Sequence, residues 1–299
     1  MAMRDSPASA AQPLLAPALR DATAELRRAG ISDPGDDARR LFAALLGLST
    51  AELLSRPERP LAPDEADRLS RAVARRTARE PVSRILGERA FYGRSFVISP
   101  ATLDPRADSE TLVDAALDLV QSKGWQSKPL RILDVGTGSG CLLLSLLAEL
   151  PLASGVGTDM SAAALDIARE NARRLGLDHR SQWLAADTLR GLIGTFDILV
   201  SNPPYIPADQ IAHLDPEVRC FDPRAALDGG SDGLCFFRRL APRIASVCCG
   251  WAILEVGHDQ ADAVAAILQR AMPAMQAQDL RFYRDVAGRR RCVAAKAQK

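Results

Sequence analysis

The sequence lacks an excess of charge of either sign. Of its 299 residues, 38 are Lys or Arg and 37 are Asp or Glu, so the formal net charge is +1. Chains that bind nucleic acid tightly usually carry a basic excess or a clear basic face. The balance therefore argues against a stable nucleic-acid partner, and we expect none.

The sequence also lacks the patterns of a zinc site and of a membrane helix. Its six cysteines include no C-x-x-C pair, so we predict no metal. No apolar run reaches 18 residues, and the beginning does not read as a signal peptide. These absences lead us to expect a cytoplasmic protein that has no membrane-bound part.

What is present divides into four segments. Residues 1–12 are predicted to form a loose tail. Residues 13–87 repeat apolar positions at helical spacing and predict a small helical domain. Residues 88–105 include an aromatic and β-branched stretch around Gly93, which predicts a hairpin linker. Residues 106–299 form the larger domain.

The larger domain alternates strand-like and helical segments from residue 131 onward. Five short apolar segments (RILDVG, GVGTDM, QWLAAD, FDILVSN and GWAILEVG) come first, and two more (LRFYRDV and RRCVAA) close the chain. This alternation predicts an α/β, Rossmann-like fold, in which a mostly parallel sheet of seven strands has helices on both faces.

The first strand of this domain runs into a glycine-rich turn with G-x-G-x-G spacing. Its residues are Gly136, Thr137, Gly138, Ser139 and Gly140. A dinucleotide fingerprint requires G-x-G-x-x-G, and a P-loop requires Lys followed by Ser or Thr; both are missing. The turn alone is also compatible with a purely structural role.

Three aspartates are predicted at the ends of three consecutive strands. Asp134 can order the glycine turn or meet an amino group, Asp159 can accept ribose hydroxyls, and Asp187 can reach an adenine edge. Any one of them could merely cap a loop. Together they favour a nucleoside ligand that carries positive charge and no phosphate, which fits S-adenosyl-L-methionine.

The fourth strand ends in Asn202, Pro203, Pro204 and Tyr205. An asparagine side chain and proline carbonyls offer hydrogen-bond acceptors, and the prolines fix their direction. Tyr205 offers a flat face for a planar group. This combination predicts a grip on a planar –NH2 group, either an amide or an exocyclic amine, although a rigid turn that closes the strand is the structural alternative.

From about residue 15 to 295 the chain resembles the HemK-type glutamine-N5 methyltransferases that modify peptide-chain release factors. Besides NPPY, the resemblance is carried by EPVSRILGERAFYG (80–93), LDPRADSE (103–110), VRCFDPRAALDGGSDGL (218–234), LEVGHDQ (254–260) and RDVAGRRR (284–291). It implies that residues 106–299 form an S-adenosylmethionine-dependent methyltransferase domain and that the helical domain, residues 13–87, docks the substrate.

The resemblance also implies roles for individual residues. Residues 136–140, Asp159 and Asp187 would hold the cofactor, with Asp134 beside them, and residues 202–205 would bind the substrate glutamine and catalyse its methylation. Asn202 would lie close to both ligands. Thr188 departs from the family, in which an aromatic residue often follows the third acid near the adenine.

The implied substrate is the glutamine of the Gly-Gly-Gln motif of class I release factors. Two other enzymatic hypotheses remain open. One is glutamine methylation of a ribosomal protein. The other is N6-adenine methylation of DNA, since NPPY is shared with DNA methyltransferases. A non-enzymatic adapter that only binds is a third alternative.

Two further groups of residues admit more than one interpretation. A basic helical stripe can be a solvated face or a docking surface for the substrate; it comprises Arg68, Arg71, Arg75, Arg76 and Arg79. His213 and His258 lack partners at triad or metal spacing, and we expect them at the surface or behind the site.

Overall fold

The computed structural model describes residues 12–297. The chain divides into two compact units, Met1–Leu86 and Gly87–Lys299. The predicted tail at residues 1–12 therefore lies, except for its last residue, outside the described part of the chain. The predicted hairpin belongs to the second unit.

Over residues 12–86 the first unit is helical. It contains α1 (Leu15–Arg28), α2 (Pro34–Leu46), α3 (Thr50–Ser55), α4 (Pro63–Thr77) and α5 (Val82–Leu86). Helices α2 and α4 begin with a proline, which has no N–H to leave unpaired at that position, and both carry acidic residues in the first turn. The apolar faces of α1, α2 and α4 share one core that includes Leu26, Leu41 and Leu69.

The predicted basic stripe is not one solvated helical face, and Arg79 lies beyond the end of α4 at Thr77. Arg76 is buried, and its Nε donates to Asp37 Oδ2 at 2.7 Å. Arg75 is exposed and forms a bidentate pair with Glu80. The expectation of a continuous exposed stripe is thus wrong at Arg76, because this side chain is used to join α4 to α2.

The second unit opens with the antiparallel hairpin of β1 (Glu88–Phe91) and β2 (Arg94–Val97). The two residues between the strands, Tyr92 and Gly93, both have positive φ angles of 47° and 71°. A two-residue turn of this kind matches the twist of the flanking strands. The hairpin predicted around Gly93 is confirmed.

A seven-stranded sheet follows, with helices between most strands. Its strands are β3 (Arg131–Val135), β4 (Ser154–Asp159), β5 (Ser181–Ala185), β6 (Phe196–Ser201), β7 (Cys248–Glu255), β8 (Leu280–Arg284) and β9 (Arg290–Lys296). The helices are α6 (Glu110–Ser122), α7 (Cys141–Glu149), α8 (Ala162–Arg174), α9 (Pro216–Arg219), α10 (Cys235–Val247) and α11 (Ala261–Ala271).

The strand order is β5-β4-β3-β6-β7-β9-β8. Strands β3 to β7 pair in parallel, and β9 runs antiparallel to both of its neighbours. Successive residues of β3 point to opposite faces, so Ile132 and Leu133 belong to two separate apolar clusters. The predicted fold class, a Rossmann-like sheet covered on both faces, is confirmed.

The strand order also fixes where a ligand can bind. From β3 the chain proceeds outward through β4 and β5, and then returns to add β6 on the other side of β3. The strand ends separate at such a reversal, which leaves a crevice beyond their carboxyl ends. The glycine turn follows β3 and the NPPY segment follows β6, so both border this crevice.

Candidate functional site

A cavity of about 570 Å³ occupies the crevice. It is bordered by the glycine turn, by the end of β4, by the NPPY segment and by two loops. Among its lining residues are Gly136, Thr137, Gly138, Ser139, Asp159, Thr188, Asn202, Pro204, Phe236 and Arg239. This size lies within the range of small-molecule sites.

The glycine turn needs glycine for its backbone angles and, at one position, for space. Gly136, Gly138 and Gly140 have φ angles of 75°, 55° and 79°, in the left-handed region that favours glycine. A Cβ on Gly140 would lie 2.9 Å from Cη2 of Trp183, which packs beneath the turn. Trp183 is a supporting residue that the sequence did not identify.

Asp134 lies behind this turn and is fully buried. It accepts a hydrogen bond from Thr137 Oγ1 at 2.6 Å. Burial raises the pKa of Asp134 to about 7, although the hydrogen bonds from Thr137 and from the backbone of Leu143 act in the opposite direction. The sequence predicted that Asp134 either orders the turn or meets an amino group. The structure shows the first role, because the carboxyl group is bonded to Thr137 of the turn. Its contact with the cofactor stays a prediction.

Asp159 ends β4 and borders the cavity. Its Oδ2 accepts from Gly138 N and its Oδ1 from Ser161 N, both at 2.9 Å. These bonds hold the carboxylate beside the glycine turn and leave lone pairs on both oxygens. The carboxylate can therefore accept further hydrogen bonds at the cavity, and its contact with ribose hydroxyls stays a prediction.

Asp187 does not end its strand as predicted. The parallel ladder closes where Ala185 pairs with Asp159 and Ala186 N bonds Asp159 O, so Asp187 lies in the following turn. Its carboxylate accepts from the guanidinium of Arg239. Arg239 and Thr188, whose φ is 56°, both line the cavity, and Asp187 is not among the lining residues.

The NPPY segment presents its residues in different directions. Asn202 and Pro204 line the cavity, whereas Pro203 is buried. Asn202 Nδ2 donates to Ser109 Oγ at 2.9 Å, which leaves the amide oxygen as a free acceptor. The hydroxyl of Tyr205 donates to Glu255 Oε1 at 3.2 Å. Burial raises the pKa of the Tyr205 hydroxyl. Tyr205 thus anchors the NPPY segment through Glu255. Its ring does not line the cavity, where the sequence predicted a flat face for a planar group.

Several residues of this site were not singled out from the sequence. Glu255 ends β7 and is buried, and Ser109 precedes α6. A carboxylate at the end of an apolar strand was the signal that singled out three aspartates, and the same signal applies to Glu255. Ser109 carries no such signal, because only its neighbours in space give it a role.

Two of the cavity-lining loops are joined by an ion pair. Arg106 Nη2 lies 2.5 Å from Asp222 Oδ2, and the same carboxylate accepts from Asp104 N at 3.2 Å. Asp222 is buried, whereas Arg106 is half exposed. The pair connects segments more than a hundred residues apart, which explains why neither residue is recognisable from local spacing.

The two histidines, a metal site and a membrane helix were the other features considered in the sequence. His213 and His258 are both exposed and do not line the cavity. Over residues 12–297 no cluster of His, Cys, Asp or Glu has an arrangement that could hold a metal ion. In the same range, no helix is both long and apolar enough to cross a membrane.

Comparison with known proteins identifies the family of the chain. Residues 17–87 match the PrmC N-terminal domain, and residues 105–214 match the methyltransferase small domain. The release factor glutamine methyltransferase of Rhodospirillum rubrum is 44% identical over 273 residues, which cover 91% of this chain and 81% of that protein. That of Bradyrhizobium diazoefficiens is 46% identical over 256 residues, covering 85% and 86%.

The chain belongs to the release factor glutamine methyltransferase family. The resemblance identified from the sequence is thereby confirmed. A solved structure, the hMettl16 catalytic domain in complex with a MAT2A 3′UTR hairpin, aligns with a TM-score of 0.55 at 16% identity over 87% of this chain and 92% of that one. At that identity the likeness shows the fold alone.

The family uses S-adenosyl-L-methionine, and the cavity fits this cofactor. The glycine turn exposes backbone without side chains where a ligand must approach closely. Asp159 supplies oriented acceptors at the end of β4, and the cavity has the volume for a nucleoside with an amino-acid tail.

Proposed function

We propose that the protein transfers a methyl group from S-adenosyl-L-methionine to the side-chain amide nitrogen (N5) of the glutamine in the Gly-Gly-Gln motif of class I release factors. One observation carries the proposal: Asn202 lies on the cavity that also contains the glycine turn, with its amide oxygen free. The family relationship supports release factors as the substrate class.

The cofactor would be held at one end of the cavity. The glycine turn and Asp159 would bind it, with the carboxylate accepting the ribose hydroxyls. Asp187 remains a predicted adenine contact, which requires its carboxylate to leave Arg239 or to be shared with it. When bound, S-adenosyl-L-methionine supplies an electrophilic methyl group attached to a sulfonium.

The other end of the cavity would hold the glutamine amide. This nitrogen is a poor nucleophile because its lone pair is delocalised into the carbonyl group. Acceptors at Asn202 Oδ1 and at the carbonyls of the proline pair would take its two N–H groups and stabilise the positive charge that develops during attack. Fixed alignment of the nitrogen supplies a further rate gain. The proton leaves after transfer, so no general base is required.

The proposal extends to partners and location. The proteins bound would be class I release factors, whose glycines let the backbone enter a narrow cleft. No stable nucleic-acid partner is included, because the charge balance offers no general attraction to one. The location would be the cytoplasm, where translation termination provides the substrate.

Labelled S-adenosyl-L-methionine tests the proposal with four acceptors: a class I release factor, its Gly-Gly-Gln variant with Gln→Ala, a ribosomal-protein extract and double-stranded DNA. We expect label on the intact factor alone. Label on DNA or on a ribosomal protein would contradict the substrate assignment and favour the corresponding alternative. Cofactor binding without transfer to any acceptor would favour the adapter.

A further inference from the structure

One buried carboxyl group, which does not line the cavity, forms a hydrogen bond with the NPPY segment. Glu255 is 1% exposed and lies at the end of β7, next to β6. Its Oε1 accepts the hydroxyl of Tyr205, the last residue of the segment. At the first residue of the segment, Asn202 Nδ2 donates to Ser109 Oγ.

Ser109 connects these two ends. It is 3% exposed. Burial raises the pKa of Glu255, and hydrogen bonding from the Ser109 hydroxyl opposes that rise. The second carboxylate oxygen, Oε2, is buried and accepts no bond of standard geometry within the described residues. A buried acceptor without a donor is costly, and the hydrogen of the Ser109 hydroxyl can rotate to supply one.

The chemistry of the three groups fixes a direction. An ionised carboxylate can only accept hydrogen bonds, so a hydrogen bond between Ser109 and Glu255 has to use the single hydrogen of the Ser109 hydroxyl. Its oxygen can then only accept from Asn202, which places the NH2 of Asn202 toward Ser109. The amide oxygen of Asn202 is consequently turned away from Ser109, as the acceptor that the substrate needs.

Building on the proposed function, we propose that Glu255 is a positioning residue whose ionised carboxylate, acting through the hydroxyls of Ser109 and Tyr205, orients the Asn202 amide oxygen toward the substrate nitrogen. Glu255 itself does not line the cavity. The residue acts on the reaction only by fixing the orientation of Asn202 and the position of Tyr205.

Burial, opposed by neighbouring donors and charges, brings the pKa of Glu255 close to neutrality. Burial raises the pKa of Glu255 to about 7, hydrogen bonds from Ser109 and Tyr205 and the charge of Arg291 lower it, and the charge of Asp108 raises it. Burial raises the pKa of the Cys141 and Cys292 thiols, and the charge of Glu255 raises both further. Arg291 is held by ion pairs to Asp108 at 2.6 Å and Asp285 at 3.0 Å.

Protonation would reverse the direction of the network. A neutral Glu255 can donate to Ser109, whose hydrogen is then free to meet the amide oxygen of Asn202. Asn202 would present its NH2 group to the substrate nitrogen, which has no lone pair to accept it. We therefore expect methyl transfer to decrease as the pH falls through about 7.

Kinetics of Glu255→Gln and Ser109→Ala test the positioning role. For Glu255→Gln we expect kcat to fall about 10- to 100-fold, with the KM for the release factor and the Kd for S-adenosylhomocysteine within about threefold of wild type. The acidic limb of the kcat profile should disappear. The control variant is Asp262→Asn, which also removes one negative charge, from an exposed acid paired with Arg290. We expect its kcat to equal that of wild type. Unchanged kcat in both test variants would overturn the proposal.

A measurement independent of turnover separates this inference from the proposed function. The carboxyl carbon of Glu255, followed by ¹³C NMR, should titrate at higher pH in Ser109→Ala and in Tyr205→Phe, because each variant removes a donor to the ionised form. An unshifted titration in Ser109→Ala would overturn the relay. An inactive wild type with the expected shifts would instead contradict the proposed substrate.

Discussion

The two ends of the cavity differ in what shapes them, which is backbone conformation at one end and side-chain hydrogen bonds at the other. At the glycine-turn end (residues 136–140 and Asp159), backbone N–H groups and positive φ angles shape the site within one β-turn-helix unit and its neighbouring strand. At the acceptor end, Asn202, Pro204 and Ser109 line the cavity, and Tyr205 and Glu255 support them without lining it. Side chains from three distant segments thus hold one another. The first end depends on conformation, and the second depends on a hydrogen-bond network.

This difference predicts separable failures. A change at the glycine-turn end should weaken cofactor binding and folding, because its residues define the backbone path. A change at the acceptor end should slow methyl transfer while the cofactor still binds. Variants that damage both functions equally would contradict the division.

The largest effect is expected at Asn202. In Asn202→Ala the acceptor for the substrate N–H is lost, and we expect kcat to fall about 10²- to 10³-fold. Isothermal titration with S-adenosylhomocysteine should give a Kd within about threefold of wild type. A variant that retains more than a tenth of wild-type kcat would remove Asn202 from the proposed mechanism.

The next effect concerns stability and pH at Asp134. Its pKa in the folded protein, about 7, lies above the value of 3.8 for a free side chain, so the folded state binds more protons between these pH values. Wild-type stability should therefore decrease as the pH rises from about 4 to 7, by up to a few kcal/mol from this group. Asp134→Asn can still accept from Thr137 and should lose that decrease.

Urea unfolding at pH 5 and pH 8 checks this expectation. The difference between Asp134→Asn and wild type should favour the variant more strongly at pH 8. A difference that is the same at both pH values would mean that Asp134 titrates in the folded state as it does in the unfolded chain.

Gly140 tests the need for space beneath the turn. Gly140→Ala combines a positive φ with a Cβ 2.9 Å from Trp183, so we expect a loss of about 2 kcal/mol and weaker cofactor binding. Gly288→Ala is the matched control, since its φ is also 79° but nothing lies within 4 Å of the added atom. Equal losses in thermal unfolding would show that backbone strain alone accounts for the effect.

The smallest effect is expected at Asp159. Asp159→Asn keeps the size of the side chain but removes its charge and half of its acceptor capacity, and we expect about a tenfold weaker Kd for S-adenosylhomocysteine. Asp166→Asn, an exposed acid paired with Arg169, provides the control on α8. Equal affinities in the two variants would exclude Asp159 from cofactor binding.

The same contrast explains what the sequence revealed. The sheet, the hairpin and the glycine turn were predictable, because apolar alternation and glycine spacing are local signals. The strand end at Asp187 was misplaced by two residues, since the end of a parallel ladder depends on its partner strand. Ser109, Arg106 and Trp183 were missed as contacts because their roles arise only when distant segments meet.

The most direct test of the central claim is to locate the methyl group. A class I release factor would be incubated with the enzyme and S-adenosyl-L-methionine, digested, and sequenced by tandem mass spectrometry. We predict one methyl group on the side-chain nitrogen of the Gly-Gly-Gln glutamine, absent when Asn202→Ala replaces the wild type. A methyl group on any other residue, or an unmodified factor after incubation with cofactor-binding enzyme, would contradict the account.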